Sequence, residues 1–120
     1  MGQSYRDLIA WQKAMDFVMD VYGVTKLFPR DEIYGLASQL RRSAVLIPTN
    51  IAEGQARYSA QEFHFFLSRA RGSLVEVETQ LMIAQNLGYI TPEQGKNILD
   101  KAGEMGRILN GLIGSIKPAA

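Results

Sequence analysis

Apolar residues recur along this chain at alternating steps of three and four, the spacing that places side chains on one face of an α-helix. Four segments follow this spacing, and none shows the period-two alternation of a β-strand. The segments run from about Arg6 to Leu27, from about Asp31 to Arg57, from Ser59 to Gly88 and from Thr91 to Lys117. The pattern therefore predicts four helices and no sheet.

Each segment carries one apolar stripe that we expect to face the core. In the first segment the stripe is Leu8, Trp11, Met15, Val18 and Tyr22. In the second segment it is Ile33, Leu36, Leu40, Ala44, Ile47 and Ile51. In the third it is Phe63, Phe66, Leu67, Ala70, Leu74, Val77, Leu81 and Ala84. In the fourth it is Ile98, Ala102, Met105, Leu109, Leu112 and Ile116.

Local signals support the segment ends. Ser59 and Thr91 each precede a Glu or Gln by three residues, which is the capping-box pattern that opens a helix. Gly88 suits the left-handed backbone that often ends one. Pro48 lies inside the second segment, but the apolar period continues through it, so we expect a kink rather than a break. Small residues on one side of the fourth segment predict close packing against another helix: Gly103, Gly106, Asn110 and Gly114.

Short connections between four long amphipathic helices predict an all-α fold, an antiparallel up-down-up-down four-helix bundle. The chain has 120 residues and no linker or low-complexity stretch, so we expect a single domain over residues 1–120. No apolar run approaches the ~20 residues that span a bilayer, so we expect no membrane association. No signal peptide precedes the first helix, which predicts a cytoplasmic protein.

The composition excludes several classes of chemistry. There is no cysteine, so the chain has no disulfide, thiolate nucleophile or zinc–thiolate site. His64 is the single histidine, which excludes a multi-histidine metal centre within one chain and a di-iron site built on repeated Glu-x-x-His pairs. No Gly-rich phosphate loop is present. We therefore predict no cofactor and no enzymatic activity.

Polar residues flank the apolar stripes of the second and third segments at heptad spacing, and they predict a hydrogen-bond network between helices or between subunits. The set is Gln39, Arg42, Asn50 and Glu53 on the second segment, and Arg69, Ser73, Glu76 and Gln80 on the third. The opposite flank of the third segment carries His64, Arg71 and Glu78. The alternative is a solvated face with incidental ion pairs.

The net charge of +1, from 13 basic and 12 acidic residues, argues against a strongly cationic nucleic-acid binder. The charges are nevertheless uneven, because residues 41–71 hold five arginines and two glutamates, whereas residues 72–104 hold five acids and two lysines. The five arginines are candidate nucleic-acid contacts: Arg41, Arg42, Arg57, Arg69 and Arg71. The same basic region could instead meet the acidic region of a neighbouring copy, which accounts for both halves of the chain.

One enzymatic alternative rests on Arg57 and His64, which have six residues between them. That spacing loosely resembles the Arg-to-His motif of the all-helical HEPN ribonucleases, in which an arginine could steady a phosphate while a histidine transfers a proton. A lone histidine on a helix surface more often has no such role. Structural self-assembly without a nucleic-acid partner is a further alternative.

Ordered short motifs run through nearly the whole chain, from about Tyr5 to Leu112. They are Asp7-Leu8, Trp11-Gln12-Lys13-Ala14, Phe28-Pro29, Tyr34-Gly35-Leu36, Gln39-Leu40-Arg41-Arg42-Ser43-Ala44, Ile47-Pro48, Asn50-Ile51-Ala52-Glu53-Gly54, Gly72-Ser73-Leu74, Glu76, Glu78-Thr79-Gln80-Leu81 and Leu87-Gly88-Tyr89. Together these motifs closely resemble the 23S rRNA intervening-sequence protein family.

The resemblance implies a four-helix bundle, in agreement with the helical pattern. Members of the family are similar to the accessory protein of diversity-generating retroelements, which forms a pentameric ring and associates with nucleic acid and a reverse transcriptase. The resemblance thus implies a homo-oligomer, a pentamer, with RNA or another nucleic acid as a candidate partner. It implies no catalytic residue, because none is established for the family. We therefore expect a non-enzymatic oligomeric module that binds or acts as a scaffold.

Overall fold

Four α-helices account for most of the chain: α1 spans Ile9–Thr25, α2 spans Leu36–Ala56, α3 spans Ala60–Asn86 and α4 spans Pro92–Ser115. The computed structural model describes residues 4–116, and no strand occurs in that part of the chain. Short 3-10 turns at Tyr5–Asp7 and Arg30–Glu32 precede α1 and α2. The all-α, four-helix prediction is confirmed, whereas the predicted end at Lys117 lies outside the described residues.

Each helix packs against two others, in the order α1, α2, α3, α4 and back to α1. Ser43 of α2 donates a hydrogen bond to Glu76 of α3. Gly54, further along α2, lies against Phe66, nearer the start of α3. Positions later in α2 therefore contact positions earlier in α3, so these two helices are antiparallel. A short turn is enough to connect two antiparallel neighbours.

The core between the helices is mainly aliphatic, and Phe17 and Phe28 are its buried aromatic residues. Its largest fully buried side chains are Val21, Leu40, Ile47, Ile51, Leu67, Val77, Leu81, Ile98 and Leu109. The predicted stripes of α3 and α4 supply five of these, and the α2 stripe is buried from Leu40 to Ile51. For these three helices the apolar period thus identifies the core-facing side.

The predicted apolar stripe of α1 is wrong. The buried face of α1 consists of Ala10, Ala14, Phe17, Val21 and Thr25. From the predicted stripe, Met15 and Tyr22 are exposed, and Trp11 and Val18 are only half-buried. Both sets of residues follow helical spacing, so periodicity alone cannot show which set faces the core. The alanines let α1 lie close to its neighbours, which leaves the larger side chains of the other stripe at the surface.

The predicted start of the second helix is also wrong. Residues around Asp31 form a separate 3-10 turn, and α2 begins only at Leu36. The carboxylate of Glu32 still serves the helix start, because its Oε1 accepts a hydrogen bond from the backbone N–H of Leu36 at 3.0 Å. Ile33 lies in this connection and is exposed, so it does not belong to the core.

The helix ends otherwise follow the predicted local signals. Ser59 accepts a hydrogen bond from the backbone N–H of Glu62, and Thr91 and Gln94 form both hydrogen bonds of a capping box. Gly88 ends α3 with a φ of 77°, in the left-handed region. α2 continues through Pro48, as predicted.

Within the single chain, the α4 glycines do not pack closely against another helix. A Cβ atom at Gly106 would meet Leu74 at 3.5 Å, an ordinary contact, and one at Gly114 would meet nothing within 4 Å. The close approach lies instead between α2 and α3, where a Cβ atom at Gly54 would lie 2.8 Å from the Cβ of Phe66. Gly54 is therefore the position where helix packing requires the absence of a side chain.

Candidate functional site

Of the eight residues of the predicted polar network, Glu76 lies at the junction of α2 and α3, whereas Arg42 lines the space between α1 and α2. Asn50 and Ser73 are buried, Gln80 is half-buried, and the remaining members are exposed: Gln39, Arg42, Glu53, Arg69 and Glu76. The hydrogen bond that crosses this junction joins Ser43 Oγ to Glu76 Oε1 at 3.1 Å. Ser43 was not in the predicted set because it lies between apolar core positions of α2, where period analysis assigns no polar role.

The structure does not join the eight predicted residues into one network within a single chain. Arg42 forms no ion pair with Glu76 among residues 4–116. Asn50 instead donates to the carbonyl of Leu46 in its own helix, at 2.8 Å. The Oε1 atom of Gln80 is buried without a hydrogen-bond partner among the described residues. A role for these side chains in contacts between subunits stays a prediction.

The five candidate arginines are spread over different sides of the bundle. Arg41 lies on the α1 side, where its Nε donates to Thr25 Oγ1 at 2.8 Å and its guanidinium covers the Tyr22 ring. Arg71 lies on the α4 side and donates to Asn110 at 3.1 Å. The charge excess of residues 41–71 therefore does not form one continuous basic patch.

Arg57 and Arg69 belong to a cluster of stacked rings and guanidinium groups, which we call the Arg–Phe ladder: Arg57, Phe66, Phe65 and Arg69. Arg57 Cζ lies 5.0 Å from the Phe66 centroid, the two phenylalanine rings meet edge to face at 5.3 Å, and Arg69 Cζ lies 5.7 Å from the Phe65 centroid. Phe65 is 55% exposed. Contacts at these distances are typical of cation–π pairs.

The two arginines of the ladder differ in whether a carboxylate pairs with their guanidinium group. Arg57 forms ion pairs with Glu53 at 3.3 Å and with Glu62 at 3.8 Å. Arg69 has no carboxylate within ion-pair distance in the part of the chain that the structure describes. Tyr58, which follows Arg57 in the chain, has a φ of 56° and is 83% exposed. The sequence signal for this cluster was the group of three aromatic residues at positions 63, 65 and 66, of which the predicted core stripe included Phe63 and Phe66 and left Phe65 unassigned.

Arg57 and His64 do not share a site. Arg57 stacks on Phe66, on the flank of α3 that faces α2 through Gly54. His64 precedes Phe66 by two positions, which is about 200° around an α-helix, and so lies on the flank that faces α4. The structure thus gives no geometric support to a joint role in phosphate cleavage.

The misassigned stripe of α1 forms one wall of an apolar groove between α1 and α2. We define this α1–α2 groove as two adjoining hollows that share Val45: one is lined by Tyr5, Trp11, Met15, Val18, Val45, Pro48, Thr49 and Ala52, and the other by Tyr22, Ile33, Ser38, Arg41, Arg42, Val45 and Leu46. The part beside Trp11 has a volume of about 410 Å³. Arg41 and Arg42 supply the charge of the groove, and none of its residues is acidic.

A hydrogen-bonded pair joins the two connections at one end of the bundle. Tyr89 Oη donates to Glu32 Oε2 at 2.7 Å. The pKa of Glu32 lies below its ordinary value, first because the carboxylate accepts the backbone N–H of Leu36 and second because it accepts the Tyr89 hydroxyl. The same hydrogen bond raises the pKa of Tyr89, since ionisation would remove the donated proton.

Glu32→Gln is expected to make unfolding less dependent on pH in the acid range. The folded state lowers the pKa of Glu32, so its stabilisation is complete above the unfolded value of 4.5 and disappears as pH falls through the folded pKa. Thermal unfolding midpoints of both proteins should therefore differ at neutral pH and converge below pH 4.5. Gln61→Ala, at an exposed position of α3 and without a titrating group, is the control and should keep the pH dependence of the wild type.

No helix within residues 4–116 is long and apolar enough to cross a membrane. In the same range, no three side chains of the types His, Cys, Asp or Glu lie close enough together to hold a metal ion.

Comparison with known proteins places the chain among helical relatives. The family profile described as 23S rRNA-intervening sequence protein matches residues 6–111. A crystal structure at 1.70 Å resolution, of a protein of unknown function from the S23 ribosomal protein family of Bacteroides thetaiotaomicron, has a TM-score of 0.82 to this chain. It is 24% identical in sequence and covers 89% of this chain and 100% of its own, so the likeness concerns the fold. No curated protein matches the chain.

Proposed function

The chain belongs to the 23S rRNA-intervening sequence protein family, and on that premise we propose that it is a non-enzymatic, homo-oligomeric scaffold. The observation that carries the proposal is the α1–α2 groove. α1 has two apolar stripes at helical spacing, and the bundle core covers one of them. The core covers the other stripe only in part and leaves Met15 43% exposed, and an exposed apolar surface is typical of a contact with another protein.

The proposed partner is a second copy of the chain. By resemblance to ring-forming relatives, the proposed copy number is five. In a cyclic oligomer, each folded subunit must present an exposed surface that its neighbour can contact. The groove between α1 and α2 is such a surface. No cofactor and no catalytic residue enter this proposal.

Met15→Glu is expected to dissociate the assembly. Met15 is 43% exposed on the α1 wall of the groove, so a carboxylate there leaves the single chain intact but would be desolvated in an interface. Light scattering should give about 67 kDa for a wild-type pentamer of 13.4 kDa chains, and one chain mass for the variant. A variant with the wild-type mass would contradict a role for the groove in assembly.

The Arg–Phe ladder supports a second candidate function, the binding of single-stranded RNA or another nucleic acid. An exposed aromatic ring offers a stacking surface to any base, and an arginine without a carboxylate partner can meet a phosphate. Phe65 and Arg69 combine these two properties in adjacent turns of α3. The ladder, rather than the five dispersed arginines together, is the proposed contact.

Phe65→Ala and Arg69→Ala are each expected to weaken RNA binding. Loss of one base–aromatic stack costs about 1–3 kcal/mol, roughly a 5- to 150-fold rise in Kd. Fluorescence anisotropy with a labelled single-stranded RNA at low salt measures this, and Arg30→Ala, an exposed arginine elsewhere, is the matched control. Affinity that does not change between low and high salt would argue against contacts with phosphate.

A further inference from the structure

A hollow of about 270 Å³ lies where the turn between α2 and α3 meets the end of α4. We call it the Tyr58 hollow, and its walls include Gln55, Tyr58, Ser59, Phe63, Ser115 and Ile116. None of the described residues that line it is charged. Pockets for drug-sized ligands begin at about 300 Å³, so this hollow suits a smaller ligand. Two aromatic side chains and two hydroxyl groups in its walls favour a neutral, planar ring with polar edges.

The backbone at Tyr58 has an uncommon conformation for a residue with a side chain. Tyr58 follows Arg57, the C-cap of α2, and its φ of 56° lies in the left-handed region where glycine usually ends a helix. Tyrosine at this φ costs free energy that glycine would avoid. Its side chain gains little burial in return, because Tyr58 is 83% exposed. Backbone strain that packing does not explain clusters at functional sites.

The two serines of the hollow have hydrogen-bonding capacity left for a ligand. Ser59 Oγ accepts the backbone N–H of Glu62 at 3.3 Å, so its own hydroxyl proton can be donated. Ser115 Oγ donates to the carbonyl of Leu112 at 2.7 Å, so its lone pairs can accept. Proteins recognise unpaired nucleobases by stacking on aromatic side chains and by hydrogen bonds to the donors and acceptors of their Watson–Crick edges. The hollow offers both kinds of contact.

The hollow adjoins the Arg–Phe ladder. Gly54 lines the hollow, and a Cβ atom at this glycine would lie 2.8 Å from the Cβ of Phe66, a member of the ladder. Arg57 precedes Tyr58 in the chain, and its Cζ lies 5.0 Å from the Phe66 centroid. A strand bound at the ladder would therefore carry a neighbouring base beside the hollow.

We propose that the Tyr58 hollow binds one unpaired nucleobase of a single strand whose backbone meets the Arg–Phe ladder. This inference rests on the proposed binding of single-stranded nucleic acid and specifies a base-binding site within it. The Tyr58 ring stacks on the base and the two serines bond its edge. Arg69, which has no ion pair within residues 4–116, meets a phosphate of the same strand. A duplex should bind more weakly, because its bases offer neither a free face nor a free Watson–Crick edge.

The test compares two labelled probes with the same phosphates: a single-stranded RNA, and an abasic strand of the same length that lacks every base. Tyr58→Gly removes the ring at a position whose backbone favours glycine, so the fold should be kept. By fluorescence anisotropy at low salt, it should raise the Kd for the RNA roughly 5- to 150-fold and leave the Kd for the abasic strand unchanged. Tyr58→Phe keeps the ring and should bind the RNA as the wild type does.

A second variant narrows the hollow and leaves the Tyr58 ring in place. Ala60→Leu adds a larger side chain to the lining, at an exposed position, and should weaken RNA binding as Tyr58→Gly does. Ala56→Leu, at an exposed alanine that does not line the hollow, is the matched control and should bind the RNA as the wild type does. Circular dichroism should show the same helix content in every variant.

The outcomes distinguish the hollow from the proposed function beneath it. A wild type that binds no RNA overturns both. RNA binding that weakens in Phe65→Ala but is unchanged in Tyr58→Gly and Ala60→Leu overturns the hollow alone. Equal losses of affinity for the RNA and for the abasic strand in Tyr58→Gly also overturn it, because a residue that binds a base cannot affect a strand without bases.

Discussion

Truncation of Phe17 to alanine is expected to lower the free energy of unfolding by about 3–5 kcal/mol, the cost of deleting a large buried ring and leaving a cavity. Phe17 lies on the buried face of α1 and is 4% exposed. Met15→Ala is expected to change the free energy of unfolding of the single chain by no more than about 0.5 kcal/mol, because Met15 is exposed. The contrast tests which apolar stripe of α1 faces the core.

Urea unfolding of both variants, followed by circular dichroism, measures the two free energies. Both variants are best compared in a Val45→Glu background, which places a carboxylate at a 40% exposed position of the groove to oppose the proposed subunit association. Association would otherwise make the apparent stability depend on protein concentration. Met15→Ala as the more destabilising of the two would show that the stripe of Trp11 and Met15 is the core. The groove would then not exist as described.

Gly54→Ala is expected to destabilise the protein by about 1–3 kcal/mol through overpacking, although alanine favours helix formation over glycine. The added Cβ atom would lie 2.8 Å from the Cβ of Phe66 and 3.4 Å from the Cα of Phe63. Neither atom lies at the end of a flexible side chain, so α2 and α3 must move apart.

Gly72→Ala is the matched control for this substitution. Gly72 lies within α3, and a Cβ atom there would meet nothing within 4 Å. That variant should therefore be more stable than wild type, by roughly 0.5–1 kcal/mol, from helix propensity alone. Urea unfolding midpoints that move in the same direction for Gly54→Ala and Gly72→Ala would contradict a close approach of α2 to α3 at Gly54.

Much of the fold follows from local signals in the sequence. The caps at Ser59 and Thr91 and the left-handed Gly88 each depend on residues within a few positions, so a single sequence suffices to place them. The start of α2 depends instead on how the chain turns between Glu32 and Leu36. The sequence indicated that the Glu32 carboxylate would stabilise the start of α2. It did not indicate that Glu32 lies in the preceding 3-10 turn and reaches the N–H of Leu36 from outside the helix.

The groove could not be predicted, because α1 offers two stripes of equal periodicity. The stripe with Trp11 and Met15 is the more hydrophobic by side-chain size, whereas the stripe with Ala10 and Ala14 permits closer packing. Choosing between them requires the positions of the neighbouring helices. The stripe predicted to be core instead became the main candidate for a surface of interaction.

The contacts of the polar residues also depend on the positions of the neighbouring helices, which the sequence does not give. The structure places Glu76 at the α2–α3 junction through its hydrogen bond with Ser43, a partner that heptad spacing could not specify. Glu76 accepts a hydrogen bond from Ser43, and Asn50 donates to its own helix, because side chains of these lengths reach the nearest available group. The arginines between residues 41 and 71 are close together in the sequence but lie on different sides of the bundle. Arg41 contacts α1, and Arg71 contacts α4.

The mass of the wild-type protein in solution, measured by light scattering across a range of concentrations, tests the central claim that the chain assembles with copies of itself. The account predicts a mass that is a multiple of 13.4 kDa and about 67 kDa for the proposed pentamer. A mass of 13.4 kDa at every concentration would contradict it, and the apolar groove between α1 and α2 would then be a surface that the protein leaves uncovered.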